Sequence, residues 1–281
     1  MEIHVINTGF FKLDGGAMFG VVPKTLWEKS NPADDHNLCN WAMRCLLIKD
    51  DKRLILIDTG CGNKQDTRFF GHYHLSGDDT LFGSLEKLGY MPEDITDVIL
   101  THLHFDHAGG AVIYDEAQAK LVPAFPNALY WTNRKQWDWA LNPNAREKAS
   151  FLKENFVPLE KSGQLEFINN PNTSVFEDIE ILFVNGHTEH MMLPLITYNN
   201  KKILFAADLV PSAAHVPLAW VMSYDVRPLV TMSEKERILT QAVDEGYILF
   251  FEHDPVNEAA TLAATDRGIR IHKAGKLSDF I

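Results

Sequence analysis

The chain has 281 residues, 46% of them hydrophobic and 23% charged, the balance of an ordinary folded protein. Its formal net charge of −12, from 26 Lys plus Arg against 38 Asp plus Glu, repels phosphate backbones; with no basic stripe to offset it, a nucleic-acid partner is disfavoured. No apolar run approaches the roughly 20 residues of a membrane-spanning helix, no basic region with an apolar core opens the chain, and Cys39, Cys45 and Cys61 form no CxxC pair, so a reduced, cytoplasmic protein without a membrane partner is expected.

Residues 3–11 read as a first strand, turned by Gly15-Gly16 and followed by an apolar segment at 18–22. Residues 23–37 carry no periodicity and read as an irregular excursion. A hairpin follows, 43–48 and 54–57 around the polar turn Lys49-Asp50-Asp51-Lys52, and it ends in Asp58-Thr59-Gly60-Cys61-Gly62. Residues 63–79 form a loop rich in charge and aromatics, including Phe69, Phe70, His72, Tyr73 and His74. Leu81, Leu85 and Leu88 mark one face of a short helix stopped by Gly89.

Val98-Ile99-Leu100 is a short buried strand running into Thr101-His102-Leu103-His104-Phe105-Asp106-His107-Ala108-Gly109-Gly110. Residues 121–122 and 128–131 are short strand candidates. Helical stretches at 133–141 and 145–156 follow, separated by Asn142-Pro143. Residues 179–184 form a strand ending in Asn185-Gly186-His187. A hairpin of 195–198 and 203–206, turned by Asn199-Asn200, ends in Ala207-Asp208. Residues 209–229 form a long loop with three prolines. Thr231 and Glu234 are spaced as a capping box, predicting a helix that Gly246 closes, and 247–251 is a last strand ending in Glu252-His253.

The chemistry concentrates at 102–107, where three imidazoles and a carboxylate occupy six positions. Crowded neutral histidines gain little from one another, and a carboxylate among them calls for a cation; a divalent metal supplies it. The same signature recurs: an apolar run ends in a metal-competent side chain at Asp58, at 102–107, at His187, at Asp208 and at His253. Strand ends along one edge of a layered fold converge their side chains on one cleft. With no Pro-, Gly- or Ser-rich linker in sight, one domain over 1–281 is expected. His190 reads as a neighbour of this site, His72 and His74 as loop residues, and His4, His36 and His272 as incidental.

At these residues the chain resembles the metallo-β-lactamase-fold hydrolases. That family shows an HxHxDH loop, here His102, His104, Asp106 and His107, then isolated His, Asp and His, here His187, Asp208 and His253; Asp58-Thr59-Gly60 matches its early turn. The resemblance implies an α/β fold, a four-layer αβ/βα sandwich of two mixed sheets packed face to face, with a dinuclear site on one edge. One metal would take His102, His104 and His187, the other Asp106, His107 and His253, with Asp208 bridging and Asp58 orienting a ligand histidine. Such an N/O donor set suits two divalent ions, Zn first, with Fe, Mn or Co also fitting. They would acidify a bridging water into a nucleophile, with Asp106 or Asp208 relaying a proton.

The expected activity is hydrolysis of a lactone or other small ester. True β-lactamases of this fold place Cys where Asp208 stands, a tRNA-processing nuclease conflicts with the charge, and the short tail after His253 does not match the helical domain of glyoxalase-II-type thioesterases. The lactonase branch, similar to enzymes that open N-acyl homoserine lactones, remains, with aryl-ester and organophosphate hydrolases as the alternative and a non-catalytic metal-binding module as the outsider. Phe69, Phe70, Trp220 and Tyr224 are candidate pocket residues. Several members of the branch carry a carbonyl-assisting Tyr shortly after the bridging Asp; here His215 or Tyr224 would have to replace it. The branch often dimerises, and residues 18–37 are the expected homodimer interface or pocket wall.

Overall fold

A computed structural model of the chain describes residues 1–171 and 175–281. Residues 1–9 with 43–170 form one compact unit, and residues 10–42 with 171–281 form a second.

The first unit carries β1 (Glu2–Asp14), β2 (Leu38–Lys49), β3 (Leu54–Ile57), β4 (Asp97–Ile99), a separate antiparallel pair β5 (Val112–Asp115) and β6 (Lys120–Pro123), then β7 (Leu129–Thr132) and β8 (Leu165–Phe167). The boundary between the units falls within β1 and within β2. Six of these strands form a mixed sheet in the order β1-β2-β3-β4-β7-β8. β2 and β3 are the expected antiparallel hairpin, and β3, β4, β7 and β8 run parallel to one another. Parallel strands are covered on both faces, which is why Leu54–Ile57 and Asp97–Ile99 are buried at every position and, Asp97 apart, are apolar throughout. Around them pack Ile6, Leu47, Leu103, Phe125, Tyr130, Trp137 and Phe156, each large apolar side chain contributing roughly 1.5–3 kcal/mol by burial.

The second unit holds β9 (Ile179–Val184), β10 (Met191–Tyr198), β11 (Lys201–Phe205), β12 (Ile248–Phe250), β13 (Ala259–Thr265) and β14 (Gly268–Gly275), a mixed sheet in reverse numerical order. β9 and β11 both run antiparallel to β10, and β12 is parallel to β11. So β9, β11 and β12 point the same way, and their C-terminal ends, followed by His187, Asp208 and His253, lie along one sheet edge. Mixed α/β architecture with two mixed sheets is the fold class expected from the sequence.

Local expectations needed correction in four places. Residues 145–156 hold no α-helix, only turns and a 3-10 helix at Lys153–Asn155, and the α-helix runs from Val157 to Ser162, because Pro158 fits only a first turn and Glu147 is drawn inward, accepting from Trp139 Nε1 at 2.7 Å and Asn144 Nδ2 at 2.5 Å. Gly15–Phe19 is a short helix rather than a turn, capped by Asp14, whose carboxylate accepts from the Ala17 amide at 2.8 Å. The Thr231–Glu234 box does not form. That helix begins at Pro228, which is pre-set for the first turn, and runs to Asp244. β5, β8, β13 and β14 carry too little apolar alternation to be read from sequence. No described helix is long and apolar enough to cross a membrane.

Candidate metal centre

In each unit the candidate ligands stand at the C-terminal ends of the strands that the sequence pattern marks. In the first unit the Asp58 amide, held by the Ile99 carbonyl at 2.9 Å, joins the end of β3 to that of β4. Asp58 has φ +58°, an unfavourable conformation for a residue with a Cβ. That twist lets its carboxylate accept from the Thr101 amide at 2.7 Å and from the Thr101 hydroxyl at 2.6 Å. His107 Nδ1 lies 3.0 Å from the same carboxylate. One carboxylate thus gathers the Thr101 amide and hydroxyl and the His107 ring.

Gly109 and Gly110 have a specific task. A Cβ on Gly109 would stand 2.2 Å from the Cys61 carbonyl oxygen, and one on Gly110 2.2 Å from that of Thr59. Only glycine lets the two loops lie backbone to backbone, where the Thr59 amide and hydroxyl both donate to the His107 carbonyl at 2.8 Å. Lys64 Nζ, largely buried, also donates to the Gly109 carbonyl.

Proton bookkeeping around the five histidines is informative. The Thr101 hydroxyl gives its single proton to Asp58, so at 3.1 Å it can only accept from His102 Nδ1. His107 Nδ1 donates to Asp58, and His104 Nε2 faces Glu147 Oε1 at 3.4 Å. In the second unit His187 Nδ1 donates to Asp225 at 2.9 Å and His253 Nδ1 to the Ala42 carbonyl at 2.8 Å. The rings of His102, His107, His187 and His253 are thus pinned by their Nδ1–H, and the opposite nitrogen is left with a lone pair. Those lone pairs meet acceptors: His102 Nε2 against His104 Nδ1 at 3.1 Å, His187 Nε2 against Asp208 Oδ2 at 3.1 Å, and His253 Nε2 against Asp208 Oδ1 at 3.1 Å. His107 Nε2 lies 3.8 Å from Asp106 Oδ2. Acceptor facing acceptor in a buried setting is unfavourable until a cation stands among them. His102, His104, Asp106, His107, His187, Asp208 and His253 are all buried, so the donor set fits a divalent metal in either unit.

The local fold that aims His187 comes from the helix Pro228–Asp244. Glu234 accepts from the Asn185 and Gly186 amides at 2.7 and 2.9 Å, and Gly186 sits so tightly against Thr231 that a Cβ would lie 2.3 Å from its amide nitrogen. The Arg227 amide donates to Gly186 and the Val226 amide to His187. Asp208 follows Ala207, whose φ of +41° is a second strained residue at the site.

Sequence reasoning missed Thr101, Glu147 and Asp225, the partners behind His102, His104 and His187. Glu147 and Asp225 carry no local signal, since each is recruited by tertiary contact, and Thr101, though next to His102, becomes its acceptor only because Asp58 takes the hydroxyl proton. Asp225→Ala is expected to weaken metal binding about 10- to 100-fold while leaving the fold intact, by freeing the His187 ring to turn; chelator competition measures it.

The pocket candidates divide. Phe69 packs against Phe70, Tyr73 and Phe105, with centroids 5.1–5.5 Å away, and Phe105 belongs to the metal loop. Trp220 meets Phe19 edge-on at 5.8 Å, and Tyr224 is 37% exposed. His215 does not offer a free nitrogen to a substrate carbonyl. It is fully buried, stacks on Phe19 at 4.6 Å, shares a hydrogen bond with the Ser212 hydroxyl at 2.7 Å and lies 2.9 Å from the Met18 carbonyl. Burial pushes its pKa down to about 3, so it is neutral. Cys39, Cys45 and Cys61 are all buried, and none is joined in a disulfide.

The comparisons with known proteins agree with this geometry. The profile of the metallo-beta-lactamase superfamily matches residues 44–263. An N-acyl homoserine lactonase of Bacillus cereus is 26% identical over 234 residues, covering 78% of this chain and 83% of that protein. A probable metal-dependent hydrolase from Staphylococcus aureus superposes with a TM-score of 0.87 at 30% identity, covering 98% of this chain and 96% of the other. The dizinc quorum-quenching lactonase AidC, in complex with a product homoserine, shares the fold with a TM-score of 0.78 at 23% identity, over 96% of this chain and 92% of that one.

Proposed function

Because the chain belongs to the metallo-β-lactamase superfamily, we propose that it is a dinuclear metal-dependent hydrolase that opens a lactone or cleaves another small ester. The observation that carries this is the set of pinned histidines whose lone pairs face one another or Asp208. The substrate class is supported by relatives named N-acyl homoserine lactonase that match most of their length. His102, His104 and His187 are proposed to hold one ion, Asp106, His107 and His253 the other, and Asp208 both, with zinc as the first choice for this donor set.

When bound, such ions supply a water nucleophile near neutral pH and positive charge for the oxyanion that develops at the substrate carbonyl. The chain does the rest. Asp58 and Asp225 hold the His107 and His187 rings in one tautomer and orientation, with Glu147 3.4 Å from His104. Asp106 and Asp208 are the carboxylates placed to take the proton of the attacking water and return it to the leaving alkoxide. Phe69, Phe70, Trp220 and Tyr224 are proposed to face the acyl portion of the substrate.

The test is proton release from N-hexanoyl-homoserine lactone by zinc-loaded protein. A kcat/KM of about 10⁴ M⁻¹s⁻¹ or above is ordinary enzyme efficiency and supports the lactonase reading. Turnover of aryl esters or phosphotriesters with none of the lactone moves the substrate to the alternative class, and no turnover of any ester by protein holding two zinc ions overturns the proposal.

A further inference from the structure

Lys235 is a charged side chain that the proposed chemistry does not use. It sits on the inner face of the helix Pro228–Asp244 and is 0% exposed. Its ammonium donates to four backbone carbonyls: His215 at 2.6 Å, Trp220 at 2.8 Å, Pro217 at 3.1 Å and Leu218 at 3.3 Å. No carboxylate is among those partners. Burial pushes its pKa down to about 7, opposed by the charge of Asp225. An ammonium ringed by main-chain oxygens reproduces the coordination that loops offer to a bound cation, except that here the cation is tethered to a helix.

The carbonyls belong to residues 215–220, which form neither a strand nor a long helix; that of Pro217 also accepts from the Trp220 amide at 2.9 Å, closing a turn around the ammonium. That loop begins at Asp208 and runs on to Asp225, whose carboxylate receives the His187 N–H. It also carries Trp220 against Phe19. Four carbonyls turned toward one shared donor fix the path of the chain between the two aspartates, and losing that donor would redraw it.

We propose that Lys235 is a positioning residue, a tethered cation around which the loop from Asp208 to Asp225 is wound, and that it sets the aim of His187 through that loop. This rests on the metal-site reading only for what the loop positions, so its test reads metal retention and amine rescue, neither of which depends on the substrate.

Lys235→Ala removes the equivalent of n-propylammonium, which can be added back. The variant is expected to hold zinc about 10- to 100-fold more weakly in chelator competition. N-propylammonium at roughly 10 mM or more should restore most of that affinity by mass action, whereas neutral 1-propanol should not. If the variant does not fold alone, the yield of refolded, zinc-binding protein becomes the readout, with the same contrast expected between amine and alcohol. Lys235→Met, which fills the space without the charge, should behave as the alanine variant does without amine. Wild-type zinc affinity in either variant, equal effects of amine and alcohol, or recovery of the fold without recovery of zinc affinity would each overturn the proposal. A failed lactone assay with successful amine rescue would sink the substrate reading and leave Lys235 in its role.

Discussion

Asp208→Ala is expected to lose tightly held metal and turnover together, with kcat/KM falling by roughly 10³ or more. The reason lies in where its two oxygens stand, each 3.1 Å from the lone-pair nitrogen of a different histidine, His187 and His253. Removing the carboxylate leaves those nitrogens pinned by Asp225 and by the Ala42 carbonyl from behind, facing one another across a space that has lost its negative charge. A cation there loses both its shared ligand and the charge that offsets its own. Asp208→Asn keeps the shape and one oxygen, and is expected to fall between the alanine variant and the wild type. Zinc stoichiometry by atomic absorption, alongside kcat/KM on whichever ester the protein turns over, separates the two effects. Full zinc content with lost turnover would recast Asp208 as a proton carrier alone, and full activity without zinc would remove the metal reading altogether.

The sequence is most legible where function depends on local order. β3, β4, β9, β11 and β12 are short apolar runs, and the residue that matters follows each within a few positions, so a period and a terminus suffice to find Asp58, the 102–107 cluster, His187, Asp208 and His253. The partners that hold those histidines are invisible for the opposite reason. Glu147 looks like a residue of a helix that does not form, yet it reaches inward to His104 and Trp139. Asp225 lies in the long loop at 209–229, and nothing in the sequence around Lys235 marks it as fully enclosed. Glu234 shows the same limit in another form: a residue with the right spacing for a capping box instead grips the Asn185 and Gly186 amides, because a tertiary partner offers two amide donors at once. The positive φ of Asp58 and of Ala207 has no sequence signature either; it is imposed by the contacts around them.

Gly109→Ala should be the most damaging of the small substitutions. Gly109 has φ −61° and ψ −39°, helical values that any residue adopts, so backbone strain plays no part. On propensity alone, alanine would stabilise this position by roughly 1 kcal/mol. The new Cβ, however, would lie 2.2 Å from the Cys61 carbonyl oxygen, 2.4 Å from its carbon and 2.7 Å from its Cα. All three are main-chain atoms, and no rotamer relieves them. The loops must separate by about 1 Å, at an overpacking cost of about 3 kcal/mol, which outweighs the propensity gain by about 2 kcal/mol and corresponds to a Tm lowered by roughly 4–8 °C. The separation strains the bonds from Thr59 to the His107 carbonyl and from the Gly110 amide to Gly60, and through them the hold of Asp58 on His107. A ligand displaced by that much is expected to cost about 10²-fold in kcat/KM. Gly163→Ala provides the contrast: its φ is +79° but no atom lies within 4 Å of the new Cβ, so it should cost about 1 kcal/mol through backbone strain and leave zinc binding and turnover unchanged. Equal losses in the two variants would show that the close approach of the Thr59–Cys61 and Gly109–Gly110 backbones does not hold the metal loop in place.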